Sequence, residues 1–484
     1  MPETASPFSF LCRVGAGLPA VLESPLSHGS PGMLQRFKRL FARKAGSPAG
    51  APLQIPASRY QMSPAAVSPG AREVVAKLEA AGHRALVVGG CVRDTLLGKK
   101  VKDFDIATDA TPEQVRALFR RARIVGRRFQ IVHVHMGREL VEVTTFRAAH
   151  HRDEVGTGRA HRDLARRNQR GMLLRDNVFG SLEEDAERRD FTINAIYYDP
   201  TADQLLDFVG GLEDMAQQTL RIIGDPAVRF REDPVRMLRA ARFRAKLGFA
   251  LHPATAEPMD QLRPLLAEVP PARLFDEVVK LLMTGHGVAA YEALCEYGLL
   301  EYLLPDTAAA ASEPDFERFL RQALINTDQR IANHQRVTPG FLFAALLWPP
   351  IVRTAARLGS GNGAGAGLGE AISEVLARTV RHVAIPRRFS TPAREIWEMQ
   401  QRLEKPHRKS AEQLLGHPRF RAGYDFLLLR EQSGELPDGA GDWWTRYQAA
   451  PETDRDAMLA ELQPPPRSRR RRRGRRRTPA TDAE

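Results

Sequence analysis

The spacing of apolar residues along the chain changes near residue 200. Before that point, IVHVHM (131–136) and ELVEVTTF (139–146) alternate apolar with polar residues on either side of Gly137, which is typical of two neighbouring strands. AREVVAKLEAAGH (71–83) instead repeats apolar residues at helical intervals. After residue 200 the helical intervals continue and the strand signals disappear. The pattern predicts an α+β protein, in which a small mixed or antiparallel sheet is followed by helices only.

Composition divides the chain further. Residues 1–70 are rich in Pro, Ser, Gly and Ala and show no sustained period, which predicts a flexible extension. The run RSRRRRRGRRR (467–477) contains nine arginines and no apolar residue, so it cannot contribute to a core. The predicted segments are the extension 1–70, a head 71–200, a helical neck 201–265, a helical body 266–460 and a disordered tail 461–484.

Charge narrows the class of partner. The 484 residues carry a net charge of +13, from 71 Lys and Arg against 58 Asp and Glu. Most of the excess lies in the C-terminal arginine run, which suits a polyanionic partner, most often nucleic acid. A solvated tail that only aids solubility is the alternative.

The cysteines and the longest apolar runs indicate the compartment. Cys12, Cys91 and Cys295 are scattered and form no CxxC pair, which argues against structural zinc and fits a reducing cytoplasm. No apolar run approaches the ~20 residues that cross a bilayer. We therefore expect a cytoplasmic protein without a membrane segment.

Two aspartates stand two positions apart in the predicted strand DFDIAT. Because side chains at i and i+2 of a strand share a face, Asp103 and Asp105 would lie together, with Phe104 and Ile106 on the other face. Adjacent carboxylates repel each other unless a cation lies between them, and Mg²⁺ prefers such oxygen ligands. Glu142 would be a third acid if its strand is a neighbour. A solvated edge strand is the alternative.

A pair of glycines precedes these acids. Gly89 and Gly90 would let the backbone approach a phosphate closely, and the N-terminus of the helix that follows favours anions. Together with the two aspartates, this turn predicts a site that binds a triphosphate beside two metal ions. The metal ions would activate the attacking hydroxyl and stabilise the leaving pyrophosphate.

The whole stretch LVVGGCVRDTLLGKKVKDFDIATDATPEQV resembles the nucleotidyltransferase superfamily that contains bacterial poly(A) polymerases and tRNA CCA-adding enzymes. The resemblance continues, in the family's order, through VEVTTFR (141–147), GSLEEDAERRDFTINAIYYD (180–199) and REDPVRMLRAARFRAKLGF (231–249). It implies a nucleotidyltransferase head with a helical neck and body, Mg²⁺ or Mn²⁺ as cofactor, and ATP and RNA 3′ ends as substrates.

The segment RRDFTIN supplies candidate contacts to the nucleotide. Arg188 and Arg189 can hold phosphates with their forked donors, and Asp190 can accept a hydrogen bond from a ribose hydroxyl. Ribose recognition is also what the resemblance implies for this segment, so Asp190 would favour ribonucleotides. A surface ion-pair cluster is the alternative.

The segment EDPVR opens a predicted helix. Asp233 is a candidate N-cap with Pro234 at N1, so capping alone could explain it. Asp233 and Arg236 nevertheless share one side of the helix start, where an acceptor and a forked donor can read the edge of a base. The resemblance implies that these two residues choose the base, with three supporting side chains, Glu232, Arg239 and Arg242.

Two further assignments complete the predicted site. Arg93, which follows the glycine turn, is taken as a nucleotide contact, and the third catalytic acid is either Glu142 or Glu183. His133 and His135 are predicted to be packing or loop residues, because no partner spacing supports zinc.

Three features favour poly(A) synthesis over CCA addition. IVGRRFQIVHVH (124–135) and the long basic loop 156–181 resemble the polymerase branch, and the arginine tail suits nonspecific RNA affinity. A CCA-adding enzyme is the second hypothesis, and a catalytically silent RNA-binding protein is the third. We expect a monomer, with proteins of RNA decay as possible partners.

Overall fold

The computed structural model describes residues 52–60, 62–126, 130–148, 165–167, 173–176, 178–359 and 367–462; for the two shortest segments it describes the backbone alone. The chain divides into two compact units. Unit 1 comprises the chain to residue 312 with 324–337 and 376–385, and unit 2 comprises 313–323, 338–375 and the chain from 386.

Twelve strands occur in the described residues. They are β1 Leu53–Pro56, β2 Ala85–Val88, β3 Phe104–Thr108, β4 Ala122–Val125, β5 Ile131–Met136, β6 Glu139–Thr145, β7 Ala165–Arg167, β8 Leu173–Asp176, β9 Ile196–Asp199, β10 Gln204–Asp207, β11 Thr219–Leu220 and β12 Ala250–Leu251. Eight of them form one sheet in the order β1-β10-β9-β2-β3-β6-β5-β4. In this sheet β3 and β6 run parallel, while β2 pairs antiparallel with both β3 and β9.

Thirteen α-helices of the described residues lie wholly in unit 1. They are Pro69–Ala80, Gly90–Leu96, Pro112–Leu118, Leu182–Glu187, Gly211–Ala216, Pro226–Glu232, Val235–Leu247, Pro253–Ala256, Met259–Leu262, Pro271–Leu282, Gly287–Glu296, Leu300–Leu303 and Pro305–Ala310. We call Val235–Leu247 the neck helix. Its buried side includes Val235, Leu238 and Ala241. The described residues thus confirm the predicted α+β class, with a mixed sheet followed by helices.

Two predicted boundaries are wrong. Residues 53–70 are not part of a flexible extension, because β1 pairs with β10 at the edge of the sheet and the first long helix begins at Pro69, capped by Ser68. The sheet also continues past residue 200, since β10 covers 204–207. Both strands are only four residues long, so their own apolar pattern is too short to show a period.

The described part of unit 2 is helical. Helices cover Pro339–Gly359, Arg387–Glu404, Arg408–Leu415, Phe420–Gln432, Asp442–Ala449 and Glu452–Glu461, while Pro314–Ala332 and Leu368–Thr379 are each shared with unit 1. Its core includes Leu403, Leu427, Trp444 and Tyr447, all fully buried. The predicted boundary between neck and body at residue 265 does not coincide with the division into units, because helices Pro271–Leu282 and Gly287–Glu296 belong to unit 1.

One helix in the described residues, Pro339–Gly359, is long and apolar enough to cross a membrane. Most of it is buried, from Leu342 to Ile351, and Pro349 and Pro350 lie within it. Length and composition are weak evidence for a span, because a buried core helix has the same properties.

Several predicted features fall outside the described residues. They are residues 1–51, the RRF of the GRRF segment (127–129), most of the basic loop, 360–366 of the glycine-rich segment, and the arginine tail from 463. Within the loop, β7 and β8 form a short antiparallel pair.

Replacing Asp207 should destabilise unit 1 strongly. The carboxylate is buried at the end of β10 and accepts hydrogen bonds from the backbone N–H groups of residues 209, 210, 211 and 212, at 2.8 to 3.1 Å. Asp207→Ala leaves these donors without a partner, so we expect a loss of about 2–4 kcal/mol in the free energy of unfolding. Urea denaturation measures it. Asp207→Asn keeps one acceptor and should lose less, and the exposed control Asp260→Ala should lose little; equal stability of all three variants would contradict the expectation.

Candidate active site

The glycine turn lies beside the strand that carries the aspartates. Gly89 adopts φ 84° and ψ −139°, a conformation that side-chain-bearing residues rarely take. A Cβ at this position would lie 3.5 Å from Oδ2 of Asp105 and 3.7 Å from Nη1 of Arg189. The turn therefore brings backbone, carboxylate and guanidinium together. Gly90 begins the next helix, and a Cβ there would meet only the Nη2 of Arg93, at 3.5 Å.

Acidic side chains converge where β3 meets β6. Asp105 is directly opposite Glu142 in the parallel register, so the predicted third acid lies on the neighbouring strand. Asp103 precedes β3 and is exposed, while Phe104 and Ile106 are buried. This is the division of faces that the DFDIAT pattern predicts.

Negative charge exceeds positive charge around Asp105. Burial raises its pKa to about 6, and the negative charges of Glu142 and Asp103 add to the rise, while Arg189 lowers it in part. Crowded carboxylates with a raised pKa favour a cation in the same space. No three His, Cys, Asp or Glu side chains of the described residues form a complete metal cage. The donors still fit Mg²⁺, which is usually held by one or two carboxylates together with substrate phosphates.

Glu142 has a further neighbour on β5. His133 lies opposite it in the antiparallel register, with its Nε2 3.4 Å from Oε1 of Glu142. Glu183, the other candidate for the third acid, is exposed in the first turn of helix Leu182–Glu187. The register therefore favours Glu142 over Glu183 as the acid beside Asp105.

Arg189 is fixed by an acid that the sequence motifs did not single out. Asp185 is buried, and its Oδ2 accepts hydrogen bonds from Nε and Nη2 of Arg189, at 3.2 and 3.0 Å, and from the hydroxyl of Tyr197 at 2.7 Å. Burial alone would lower the pKa of Arg189, but Tyr197 and Asp185 raise it. Asp185 and Arg189 are four residues apart, a spacing that could have revealed the pair in the sequence.

Arg93, the predicted nucleotide contact beside the glycine turn, is engaged by protein partners. Its side chain is buried, with Nε 2.8 Å from Oδ1 of Asp94 and Nη1 bonded to Oδ1 of Asn194. Its guanidinium also lies 5.1 Å from the ring centre of Phe243 in the neck helix. Arg93 therefore connects its own helix to Asn194 and to the neck helix.

Arg188 lies among other arginines and one buried carboxylate, that of Glu232. Arg229 and Arg236 approach Oε2 of Glu232 at 2.8 and 3.1 Å. Burial and the positive charges of Arg147, Arg229 and Arg236 lower the pKa of Arg188 to about 9, and Glu232 opposes this only in part. Such an excess of buried positive charge favours an anion nearby.

These arginines also donate hydrogen bonds to backbone carbonyl groups. Nη1 of Arg188 donates to the carbonyl of residue 148 at 3.0 Å, and Nη2 of Arg229 donates to the carbonyls of Arg188 and Arg189. Nη1 of Arg236 donates to the carbonyl of Arg229 at 2.7 Å. The guanidinium groups therefore lie in fixed positions. The sequence did not indicate Arg229, because its partners Arg188 and Arg189 are distant in sequence.

Asp233 is not the N-cap of the neck helix, contrary to one interpretation of EDPVR. It adopts an extended conformation between helices Pro226–Glu232 and Val235–Leu247, and Pro234 occupies the N-cap position. Instead Arg273 forms a fork with both carboxylate oxygens, at 2.8 and 2.7 Å. Arg273 stands 40 residues away, so no local spacing indicated it.

Comparisons with known proteins show the family to which the chain belongs. The family model described as the poly A polymerase head domain matches residues 85–221, that of a probable RNA and SrmB-binding site of polymerase A matches 248–311, and that of the polymerase A arginine-rich C-terminus matches 361–478. Poly(A) polymerase I of Escherichia coli O157:H7 is 48% identical over 423 residues, covering 85% of this chain and 90% of the relative. The chain belongs to the bacterial poly(A) polymerase family. It is an enzyme of that kind.

Members of the CCA-adding branch are more distant. The CCA-adding enzyme of Streptococcus suis strain 05ZYH33 is 38% identical over 240 residues, covering 50% of this chain and 55% of the relative. Among solved structures, the CCA-adding enzyme of Bacillus stearothermophilus in complex with CTP aligns with a TM-score of 0.52 and 29% identity over 82% of each chain. The fold is therefore shared by both branches, while the sequence favours polyadenylation.

Asp105→Asn should abolish nucleotide addition and stabilise the metal-free protein. The folded-state pKa of Asp105, about 6, lies above its ordinary value of 3.8, so the ionised carboxylate destabilises the fold. Relative to the variant, the parent should lose stability as the pH rises from about 4 to 6 and then stay about 1–3 kcal/mol lower. Urea denaturation with chelator across this range measures the difference. Asp276→Asn removes an exposed charge as the control, and a pH-independent difference would contradict the crowding of acids.

Proposed function

We propose that this protein transfers AMP from ATP to RNA 3′ ends without a template and releases pyrophosphate. The observation that carries the proposal is the meeting of Asp105 and Glu142, on the central strands β3 and β6, with the Gly89 turn and Arg189. Acids that hold a cation beside arginines that hold phosphates are what phosphoryl transfer to a hydroxyl requires.

Asp103 and Asp105 would hold Mg²⁺, or Mn²⁺ in its place, with Glu142 as the third acid. When bound, the metal supplies activation of the RNA 3′ hydroxyl and stabilisation of the leaving pyrophosphate. Arg189 stands beside the Gly89 turn and is held by Asp185, so its guanidinium is oriented before the phosphates arrive.

The choice of base is assigned to Asp233 and Arg236. Nη1 of Arg236 is engaged by Arg229 and Glu232, but its Nε and Nη2 donate to none of the described residues and remain available to a base. Adenine and cytosine both place an amino donor beside a ring nitrogen acceptor, so an Asp and Arg pair excludes guanine and uracil. CCA addition shares this chemistry and is the second candidate.

Segments outside the active site would bind RNA and a protein partner. The arginine tail would retain RNA between additions through its phosphates. The match of residues 248–311 to a model described as a probable RNA and SrmB-binding site supports an additional protein partner, of the kind that acts in RNA decay. We expect the protein to act as a monomer in the cytoplasm.

Incubation with RNA, Mg²⁺ and single nucleotides tests the activity. ATP alone should give a ladder of extended products, because the enzyme needs no template and no second nucleotide. Asp103→Ala and Asp105→Ala are matched controls for contaminating activity, and each should retain less than about a tenth of the rate, a loss of more than ~1.4 kcal/mol in barrier. One or a few additions that require CTP and tRNA would indicate CCA addition, and no incorporation would indicate a silent RNA-binding protein.

Deleting residues 464–484 should shorten the products of each binding event and leave single additions almost unchanged. The deleted arginines neutralise phosphates, so the slope of RNA affinity against salt should also flatten. Product lengths under single-binding conditions and filter binding at several salt concentrations measure the two effects. A chain of full length with serine in place of the nine arginines controls for length. Unchanged slope and product length would show that the tail serves another purpose.

A further inference from the structure

Three lysines lie in the connection between helix Gly90–Leu96 and strand β3. We call residues 97–103 the lysine connection; their sequence is LGKKVKD, and the last of them is Asp103, a proposed metal ligand. Lys100, Lys102 and Asp103 are exposed. Lys102 is the immediate neighbour of Asp103, so their Cα atoms are about 3.8 Å apart. The connection therefore places positive charge directly beside one of the acids.

Lys99 ties the lysine connection to the neck helix. Its Nζ donates a hydrogen bond to the carbonyl of Lys246, in the last turn of that helix, at 3.4 Å. Nζ of Lys246 in turn lies 2.8 Å from Oδ2 of Asp94. The other oxygen of Asp94 lies 2.7 Å from Nη2 of Arg93. These contacts fix the start of the connection against the neck helix.

Positive charge exceeds negative charge where the connection meets the neck helix. Arg93, Lys99 and Lys246 lie near one carboxylate, that of Asp94. Burial lowers the pKa of Lys99; Asp94 opposes this change, and the charges of Lys246 and Arg93 add to it. An excess of cations of this kind favours an anionic partner.

The remaining two lysines are available to such a partner. Neither Lys100 nor Lys102 forms an ion pair with any of the residues that the structure describes, and both side chains are exposed. A lysine ammonium binds a phosphate as a point charge on a flexible stem. Two of them in one exposed connection suit neighbouring phosphates of a nucleic acid strand.

The geometry of the transfer distinguishes between the two anionic substrates. The Gly89 turn and Arg189 lie beside Asp105, where the proposed function places the phosphates of ATP. In phosphoryl transfer the attacking and leaving oxygens are roughly in line, on opposite sides of the phosphorus. The RNA 3′ end therefore needs a second cationic surface near the same acids. The lysine connection, which ends at Asp103, supplies that surface.

We infer that the lysine connection binds the RNA strand next to its 3′ end, with Lys100 and Lys102 contacting phosphates of the last nucleotides. This assignment rests on the proposed function and concerns its second substrate. Contacts with phosphates fix position and carry no direct information on the base sequence, so the surface would align any RNA end with the metal site. It is separate from the arginine tail, which begins more than 300 residues later.

Steady-state kinetics with a short oligoadenylate primer test this role. Lys100→Ala combined with Lys102→Ala should raise KM for the primer about 10-fold and leave kcat and KM for ATP unchanged, because only contacts with RNA are lost. The slope of log affinity against log salt should fall by about 1.4, since each phosphate neutralised on a single strand contributes ~0.7. Lys100→Arg combined with Lys102→Arg keeps both charges and should restore KM.

Uncharged linkages in the primer locate the contact. Filter binding with chelator present measures affinity without turnover. Methylphosphonates at the last two linkages of the primer should weaken binding to the parent protein about as much as the two alanine substitutions do. The alanine variant should bind the modified and unmodified primers equally, because both changes remove the same contacts. The same linkages at the 5′ end should weaken binding to the parent and to the variant by equal factors.

Arg72→Ala combined with Arg116→Ala is the matched control. Both arginines are exposed, lie on two other helices of unit 1 and form no ion pair with the described residues, so the control removes the same charge. It should leave KM for the primer unchanged. An equal loss in the control and in the lysine variant would show a general effect of net charge and would overturn the assignment.

Two further results would overturn it. A raised KM for ATP with an unchanged KM for the primer would assign the lysines to the triphosphate. Additive losses from the lysine substitutions and the uncharged 3′ linkages would show that they act on different contacts. Failure of the parent protein to incorporate AMP would instead refute the proposed function, while primer binding with chelator would still measure the lysine surface.

Discussion

The approach of Asp105 to Glu142 on adjacent parallel strands is the constraint on which the rest of the site depends. Neighbouring strands lie about 4.8 Å apart, so the register places the two residues side by side, with Asp103 close by. Burial and these negative charges raise the pKa of Asp105 to about 6. Such an arrangement costs stability in the empty protein, and a cation between the carboxylates would offset that cost.

A group of arginines carries the opposite excess of charge close to these acids. Arg189 lies next to Asp105 across the Gly89 turn, and behind it Arg147, Arg188, Arg229 and Arg236 exceed the charge of Glu232. Burial and mutual repulsion lower the pKa of Arg188 to about 9. A ligand that carries both signs of charge would offset both excesses.

Several charged side chains of the site are held in place by other side chains of the protein. Arg189 is fixed by Asp185 and Tyr197, Arg239 by Asp190, and Asp233 by Arg273. Each of these side chains has its orientation set by protein partners before a nucleotide binds, which reduces the reorganisation needed in the reaction. Acids and arginines of the motifs therefore hold one another in place, and residue type alone does not show which of them have protein partners.

The sequence by itself determined the local features of this protein. Strand alternation predicts Asp105 on one face and Phe104 and Ile106 on the other, and a double glycine before a helix predicts the turn at Gly89, because side-chain periodicity and backbone freedom are properties of a few adjacent residues. The order of the motifs along the chain likewise indicates the family, since each motif is a short run of neighbouring residues.

Only the tertiary structure decided which partners these residues meet. Strands β1 and β10 exist because each is the other's hydrogen-bonding neighbour, and four residues show no period without that pairing. Arg273 reaches Asp233 across 40 residues, and Arg93 is buried beneath the site although its position beside the glycine turn suggested a nucleotide contact. Asp190 likewise accepts a hydrogen bond from Arg239, which lies 49 residues later in the chain. Distances between residues far apart in sequence arise from packing of the whole unit, and no local pattern records them.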